Sequence, residues 1–376
     1  MEKPDDTTIS QGMNESLTPP SKGRKTFFPD IEMSHISRFR AEHMGAAILM
    51  IILFHVALPR SSAFFGLRRV GNVGVDIFLF LSGIGLWYSW TKQMAKCQMD
   101  SVKAFSHEWW QFYKRRLVRV YPTWLLIACL YYIPRYHNGL NWWAHGHGLA
   151  DLLGDILVNW DFWLHDELTF WYIPAIMMLY LFAPMFMELI RRHPVYRWLI
   201  LVMVLWTVAV QWVTPIHQAV GHIEIFWSRV PIFFLGISMG EMVRDRRNID
   251  GQTIWLIGIV FLMTFLTSVF LEQHLHGRFP LFIERLVYIP LVVTAIILFN
   301  RMWEHTPQWL NTFFAWIGGL SLEVYLIHSQ FVLWRVEQHH LGYWPTFFIT
   351  VIITMPLAYL LHLLMGKVSE WLSKRI

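Results

Sequence analysis

Long apolar stretches, separated by short polar ones, run from Met44 almost to the C-terminus. A helix needs about 20 mostly apolar residues to cross the hydrocarbon core of a bilayer. The pattern predicts ten such segments, over residues 44–59, 73–91, 117–134, 169–190, 197–214, 226–243, 252–271, 281–300, 310–333 and 343–365. Because lipid offers no partners to backbone N–H and C=O groups, all ten should be helices. The predicted fold class is therefore all-α, a polytopic integral membrane protein.

The two ends of the chain depart from this pattern. The first residues are polar and rich in Ser, Thr, Pro and charge, which is typical of a disordered tail. No apolar run precedes Met44, so no secretory signal is predicted. We predict a disordered cytoplasmic tail over 1–30, a transmembrane domain over 31–370 and a short cytoplasmic tail over 371–376.

Composition and charge agree with a lipid environment. Only 15% of the residues are charged, against roughly 25% in soluble domains, and the 21 tryptophans are suited to anchoring at the membrane interface. The predicted topology places 22 of the 31 Lys and Arg residues on the same side of the membrane as the N-terminus, and six in loops on the opposite side. Since cytoplasmic loops carry the excess of positive charge, both termini should be cytoplasmic. The expected location is the cell (inner or plasma) membrane, spanned many times.

The two cysteines are predicted to stay reduced. Cys97 falls in a cytoplasmic loop of this topology and Cys129 falls inside a span. Disulfides are rare in reducing compartments, so we expect none here.

Three motifs carry a resemblance to a known family. They read GVDIFLFLSG from Gly74, KRRLVRVYP from Lys114 and SLEVYLIH from Ser321. Together with His55 near the end of the first span, they resemble the membrane acyltransferase family 3 over about residues 38–365. The resemblance implies transfer of an acyl group, with acetyl expected, from cytoplasmic acyl-CoA to a hydroxyl of an extracytoplasmic glycan or related acceptor. It implies acetyl-CoA as donor substrate, with no bound cofactor, no metal and no nucleic acid.

By this resemblance His55 is the expected catalytic residue. It is the one ionisable group in the interior of the first span, and an intramembrane histidine indicates a functional site by default. An imidazole can remove a proton from a hydroxyl near neutral pH or carry the acyl group itself. The alternative is a neutral histidine hydrogen-bonded to a neighbouring helix.

Arginines at the third span are expected to hold the donor. Arg116 and Arg119 are three residues apart and share a helix face, and guanidinium groups bind phosphate through paired hydrogen bonds. Anchoring by positive charge is the alternative for this cluster. The family usually has a further arginine eleven residues before its histidine, but Met44 stands there. Arg40, one helical turn earlier, is a candidate replacement, and the alternative is an altered acyl donor or lost activity.

Three further residues are expected to contact substrate. Asp76 belongs to the GVD motif, while Trp171 and Tyr172 begin the fourth span and could stack on the acceptor or the donor arm. An aromatic belt at the interface is the alternative for the two rings.

Buried charges near the end of the chain need partners. Glu323 and His328 are five residues apart and need other partners, for which Asp76 and Arg285 are candidates. Glu323 is expected in a structural polar network, and no role is assigned to His328. Arg229, at the outer end of the sixth span, is expected either in the family's R-x-P-x-F run or as a snorkelling side chain.

The outer loop 135–168 combines aromatic rings, which can cover the apolar faces of a sugar, with carboxylates, which accept hydrogen bonds from its hydroxyls. This pattern suits sugar binding, and an interfacial helix is the alternative. A metal site on its histidines is a weaker hypothesis. The residues concerned are Trp142, Trp143, His145, His147, Trp160, Asp161, Trp163, His165, Asp166 and Glu167.

Other function classes have less support. The chain carries no Walker motif, no GxGxxG and no GxSxG, which argues against an ATPase pump, a dinucleotide enzyme and an α/β-hydrolase. The rival hypothesis is a non-enzymatic transporter or exporter of a glycan or small acid. In that case His55, Glu323 and Arg119 would form a proton relay or substrate path. Dependence on acyl-CoA distinguishes the two.

Overall fold

A computed structural model describes residues 29–96, 102–137 and 148–375. The predicted tail up to residue 28, Cys97 and the loop residues Trp142, Trp143, His145 and His147 lie outside this part. The α-helices of the described chain are α1 (His35–Arg38), α2 (Arg40–His55), α3 (Phe65–Val70), α4 (Val73–Lys96), α5 (Val102–His137), α6 (Leu149–Val158), α7 (Trp160–His165), α8 (Tyr172–Arg192), α9 (Leu199–Trp212), α10 (Thr214–Val220), α11 (Glu224–Trp227), α12 (Val230–Arg244), α13 (Gly251–Leu275), α14 (Leu281–His305), α15 (Gln308–Gly319), α16 (Ser321–Ile327), α17 (Trp334–Glu337) and α18 (Tyr343–Arg375).

Shorter elements connect these helices. Two 3-10 turns, Pro194–Trp198 and Gly221–Ile223, precede α9 and α11, and a π-helix, His328–Leu333, joins α16 to α17. A two-stranded antiparallel sheet pairs β1 (Ile31–Glu32) with β2 (Asn248–Ile249). The predicted C-terminal tail 371–376 is helical as far as Arg375, because α18 continues without a break.

Seven helical segments of the described chain are long and apolar enough to cross a membrane. Two bent pairs also pass when taken together: Thr214–Trp227 with Val230–Arg244, bent by 45°, and Gln308–Gly319 with Ser321–Glu337, bent by 59°. The continuous spans predicted over 226–243 and 310–333 are therefore broken helices.

The first predicted span, over 44–59, begins and ends four residues earlier in the structure. It corresponds to α2, which has 16 residues and is about 24 Å long at 1.5 Å per residue, less than the roughly 30 Å hydrocarbon core. Ten spans and cytoplasmic termini stay predictions.

α4, which carries the GVD motif, lies in the middle of the bundle. In the segment Phe65–Ala95, 89% of the apolar stretch is buried, whereas the corresponding value is 11% for α13 and for the segment containing α9. We call the two ends of the bundle the Arg40 end, where α2 begins, and the His55 end, where α2 finishes. α4 runs antiparallel to α2, since Arg40 reaches the Leu81 carbonyl while Gly74 packs on Ala47.

Glycines allow the central helices to approach closely. A Cβ atom on Gly45 or Gly318 would collide with backbone atoms of α15 or α2, and one on Gly83 or Gly236 would collide with backbone atoms of α12 or α4. Small residues at such crossings let membrane helices pack backbone against backbone. This packing fixes α2 against α15 and α4 against α12.

Substitution at two adjacent glycines tests this packing. A Cβ at Gly318 would overlap the Ala41 carbonyl, whereas a Cβ at Gly319 meets nothing within 4 Å. We expect Gly318→Ala to lower the free energy of unfolding by about 1–3 kcal/mol, and Gly319→Ala to change it by less than about 0.5 kcal/mol. Thermal unfolding in detergent measures both, and equal destabilisation would contradict the close approach.

Candidate functional site

A space of about 640 Å³, including open solvent, lies at the centre of the bundle, between α2, α4, α5, α8 and α16. This inner cavity has two arginines, three tyrosines and two serines among seven apolar side chains. Its lining residues are Arg40, Met44, Ile51, Val75, Phe78, Ser82, Arg119, Val120, Tyr172, Ile176, Tyr180, Ser321, Leu322 and Tyr325.

A second and wider space, the α5–α18 cleft, adjoins the inner cavity. It encloses about 1300 Å³, including open solvent, and its walls carry Lys114 and Arg115 on α5 and Glu370 on α18. Arg119, Ser321 and Leu322 line both spaces. These side chains therefore form the boundary between cleft and cavity.

Two arginines that line the inner cavity have no carboxylate partner in the described chain. Arg119 makes no ion pair or hydrogen bond there, and Arg40 donates only to the Leu81 carbonyl, at 3.4 Å. Guanidinium groups without counter-ions provide a site for an anion such as phosphate.

Arg40 and Met44 line the same cavity, as expected for residues four apart on one helix face. The geometry is thus compatible with Arg40 replacing the arginine that the resemblance expects at position 44. The replacement stays a hypothesis.

Arg116 is placed differently from Arg119, although the sequence predicts one role for both. Arg116 donates to Ser89 Oγ at 2.9 Å and lies over the Phe112 ring, with Cζ 4.4 Å from its centroid. It lines neither the inner cavity nor the cleft. Of the predicted pair, the structure brings only Arg119 to these spaces.

Two histidines face each other at the far end of the inner cavity. His55 lies one turn beyond the cavity residue Ile51 and donates its Nδ1–H to the Ile51 carbonyl at 2.8 Å. His328 lies one turn beyond the cavity residue Tyr325, and its Nδ1 is 2.9 and 3.0 Å from the carbonyls of Val324 and Tyr325. Carbonyl oxygens only accept, so this geometry assigns the hydrogen of each neutral ring to Nδ1.

This assignment leaves the nitrogen Nε2 of each ring as an acceptor. His328 Nε2 lies 3.3 Å from His55 Nδ1, with ring centroids 5.0 Å apart. His55 Nε2 has no hydrogen-bond partner in the described chain. His55 is an exposed residue, whereas His328 is only 1% exposed. His55 Nε2 is therefore the lone pair that a substrate could reach.

The contact between His328 and His55 was not predicted, since Asp76 and Arg285 were the candidate partners for Glu323 and His328. A usable signal was the predicted topology, in which the first and ninth spans run in the same direction and each carries its histidine in the outer half. Two histidines at similar depth on parallel spans are candidates for contact, but hydropathy does not show that the two helices are neighbours.

Asp76 forms a buried ion pair instead of lining the cavity. Its Oδ2 lies 3.6 Å from Arg229 Nε, and both side chains are 1% exposed. Arg229 also donates to Asn72 and lies over the Trp171 ring, 4.9 Å from its centroid. The snorkelling alternative for Arg229 is wrong, because the side chain is buried. Of the three predicted substrate contacts, only Tyr172 lines the inner cavity.

Glu323 also has a different partner from those predicted. Its Oε1 lies 2.9 Å from His362 Nδ1 on α18, at the wall of the α5–α18 cleft. Asp76 pairs with Arg229, and Arg285 pairs with Glu224 at 2.7 Å. Both candidate partners of Glu323 were therefore wrong, since each is occupied by another charge.

The described part of the outer loop favours the interfacial-helix alternative. Leu149, Leu153 and Leu157 recur every four residues along α6 and are 63%, 49% and 48% exposed. Asp155 and Asp161 are buried on the protein side, where burial and the neighbouring Asp161 raise the pKa of Asp155 to about 7. An apolar face of this kind suits the headgroup boundary of a membrane.

A metal site is not evident in the part of the chain that the structure describes, where no three His, Cys, Asp or Glu side chains cluster suitably. The proposed histidine ligands His145 and His147 lie outside the described residues.

Comparison with known proteins gives one family and one curated relative. The profile of acyltransferase family 3, described as an acyltransferase domain, matches residues 45–363. The chain is similar to the Regulator of hypoxia-inducible factor 1 of Caenorhabditis elegans, with 27% identity over 39% of this chain. The match spans about a third, 33%, of that protein's length. No solved structure matches the chain significantly.

Proposed function

Because the chain belongs to acyltransferase family 3, we propose that it moves an acyl group, expected to be acetyl, from cytoplasmic acyl-CoA to a hydroxyl of an extracytoplasmic glycan or related acceptor. The main support is the order of spaces through the bundle. The α5–α18 cleft meets the inner cavity at Arg119, and the inner cavity ends at Ile51, one helical turn before His55.

The donor fits this order by its chemistry. The phosphate groups of acyl-CoA match the cationic side chains along this route, which are Lys114 and Arg115 in the cleft, Arg119 at the boundary and Arg40 in the inner cavity. The thioester arm is largely apolar with a few amide groups, which suits a cavity lined by aliphatic side chains and the rings of Tyr172 and the other tyrosines. In this orientation the acyl group points toward the His55 end.

His55 then acts as a general base. Its Nε2 takes the proton of the acceptor hydroxyl, and the hydroxyl oxygen forms a bond to the acyl carbon. The carbon–sulfur bond breaks, and the departing thiolate takes the proton from His55. The alternative is that Nε2 carries the acyl group between donor and acceptor. None of the comparisons supports the transporter hypothesis.

Reconstituted protein tests the reaction directly. Proteoliposomes that receive radiolabelled acetyl-CoA at the donor face should release free coenzyme A only when a polysaccharide with free hydroxyls is present on the other side. The label should end on that polysaccharide, as mass spectrometry can confirm. Movement of label or glycan without thioester cleavage would favour a transporter instead.

Donor affinity should depend on Arg119 more than on Arg116. Arg119→Gln removes a guanidinium from the cleft–cavity boundary, and charge-assisted bonds contribute roughly 1.5–3 kcal/mol each. Acetyl-CoA affinity should therefore fall at least about tenfold, as measured by equilibrium binding to the detergent-purified protein.

Arg116→Gln is the matched control, because it removes the same charge from the same helix but from a side chain bonded to Ser89. We expect a smaller loss of affinity for that variant. Equal losses of acetyl-CoA affinity would mean that both arginines act only through general electrostatic attraction. Unchanged affinity in Arg119→Gln would show that Arg119 is not part of the donor site.

A further inference from the structure

We propose that His328 is a positioning residue for His55, which accepts the Nδ1 hydrogen of His55 while that ring carries the substrate proton. This inference rests on the proposed role of His55 as base. It assigns to the π-helix a part in the reaction that the family membership does not specify.

The position of His328 is fixed by its own hydrogen bonds. Its Nδ1–H is held by the carbonyls of Val324 and Tyr325, which prevents Nε2 from carrying the hydrogen of the neutral ring. His328 is the first residue of the π-helix, and such turns frequently occur at functional sites. With 1% exposure, its Nε2 is shielded from water and faces His55 Nδ1 at 3.3 Å.

The need for a second acceptor arises when His55 is charged. In the neutral ring, the Ile51 carbonyl at 2.8 Å satisfies Nδ1–H. Once Nε2 takes a proton, Nδ1–H becomes part of an imidazolium and donates more strongly.

The carboxylates of this region are bonded to other groups: Glu337 accepts from the Ala57 N–H, and Glu272 pairs with Arg69. Arg68 donates to the Phe54 carbonyl, and Arg69 lies over the Phe54 ring that touches His55 edge-on. No carboxylate of the described chain forms an ion pair with His55. The lone pair of His328 is then the additional acceptor that can stabilise the charged ring.

Two amide substitutions separate this role from packing. The amide oxygen of Gln can occupy the position of histidine Nε2, so His328→Gln keeps an acceptor for His55. The amide of Asn reaches only the position of Nδ1, so His328→Asn keeps the bonds to the carbonyls and loses that acceptor. We expect kcat to fall roughly tenfold to a hundredfold in His328→Asn, with KM for acetyl-CoA unchanged, and to stay within about fivefold of the unsubstituted protein in His328→Gln.

The measurement is steady-state acetyl transfer in proteoliposomes, with unfolding temperatures of both variants as the check on folding. Equal kcat values in the two variants would overturn the inference. His55→Gln, measured in the same assay, distinguishes a failure of the proposed base from a failure of the proposed role of His328. If His55→Gln stays active, the proposed base is wrong. If it is inactive while His328→Asn is fully active, only the role of His328 is wrong.

Discussion

Replacement of Asp76 by Asn is expected to lower the free energy of unfolding by about 3–5 kcal/mol, the range found when one partner of a buried ion pair is removed. Arginine keeps its charge in proteins, and Arg229 is 1% exposed with Asp76 as the only carboxylate of the described chain within ion-pair distance. Without Asp76, a buried guanidinium remains uncompensated. A domain is stable by only about 5–15 kcal/mol, so much of the variant should fail to fold.

Thermal unfolding and the yield of monodisperse protein measure this effect. The control is the double variant Asp76→Asn with Arg229→Gln, which removes both charges. Interacting pairs give non-additive effects, so the double variant should be more stable than Asp76→Asn alone. If Asp76→Asn instead folds normally and loses donor or acceptor binding, Asp76 belongs to the substrate site, as the motif resemblance implied.

Membrane helices could be located from the sequence because lipid enforces their main property. Apolar runs such as 252–271 and 281–300 fall inside α13 and α14, since a segment in lipid must satisfy its own backbone groups. The breaks at Arg229 and Leu320 were not predicted. The chain is strongly apolar before and after each break, so hydropathy does not reveal the break. The bend depends instead on contacts with the neighbouring helices.

The partners of the buried charges could not be predicted from the sequence, for a different reason. Asp76 and Arg229 lie in motifs that are far apart in the chain, and Glu323 reaches His362 on the last helix. Each buried charge could be predicted to need a partner. Which partner it takes depends on which helices are neighbours, and periodicity within one helix contains no such information.

The family resemblance, confirmed by the profile over residues 45–363, identified residue types but not their geometry. It grouped Arg116 with Arg119, and the structure separates them because their side chains leave the helix toward Ser89 and toward the cavity. It placed His55 in the reaction, while the contact with His328 appears only in the folded bundle. The roles of both histidines stay proposals.

Replacement of His55 by Gln is expected to reduce acyl transfer by at least roughly a hundredfold, the lower range of a general base. The amide of Gln can hydrogen-bond where Nε2 lies, but it cannot take a proton from the acceptor hydroxyl. Folding should be preserved, because His55 Nε2 has no partner in the described chain and the ring keeps accessible surface. Donor affinity should also be preserved, because His55 does not line the inner cavity.

These expectations distinguish catalysis from packing. Acetyl-CoA binding, unfolding temperature and transfer to acceptor are measured on the same preparation of His55→Gln and His55→Ala. A catalytic His55 predicts that both variants bind the donor and unfold near the normal temperature, yet transfer almost nothing. A packing histidine predicts the reverse order, with Gln close to normal and Ala impaired through loss of stability, since Gln fills the space and Ala leaves a cavity. Near-normal transfer by His55→Gln would therefore require a different base, and the proposed path through His55 would have to be abandoned.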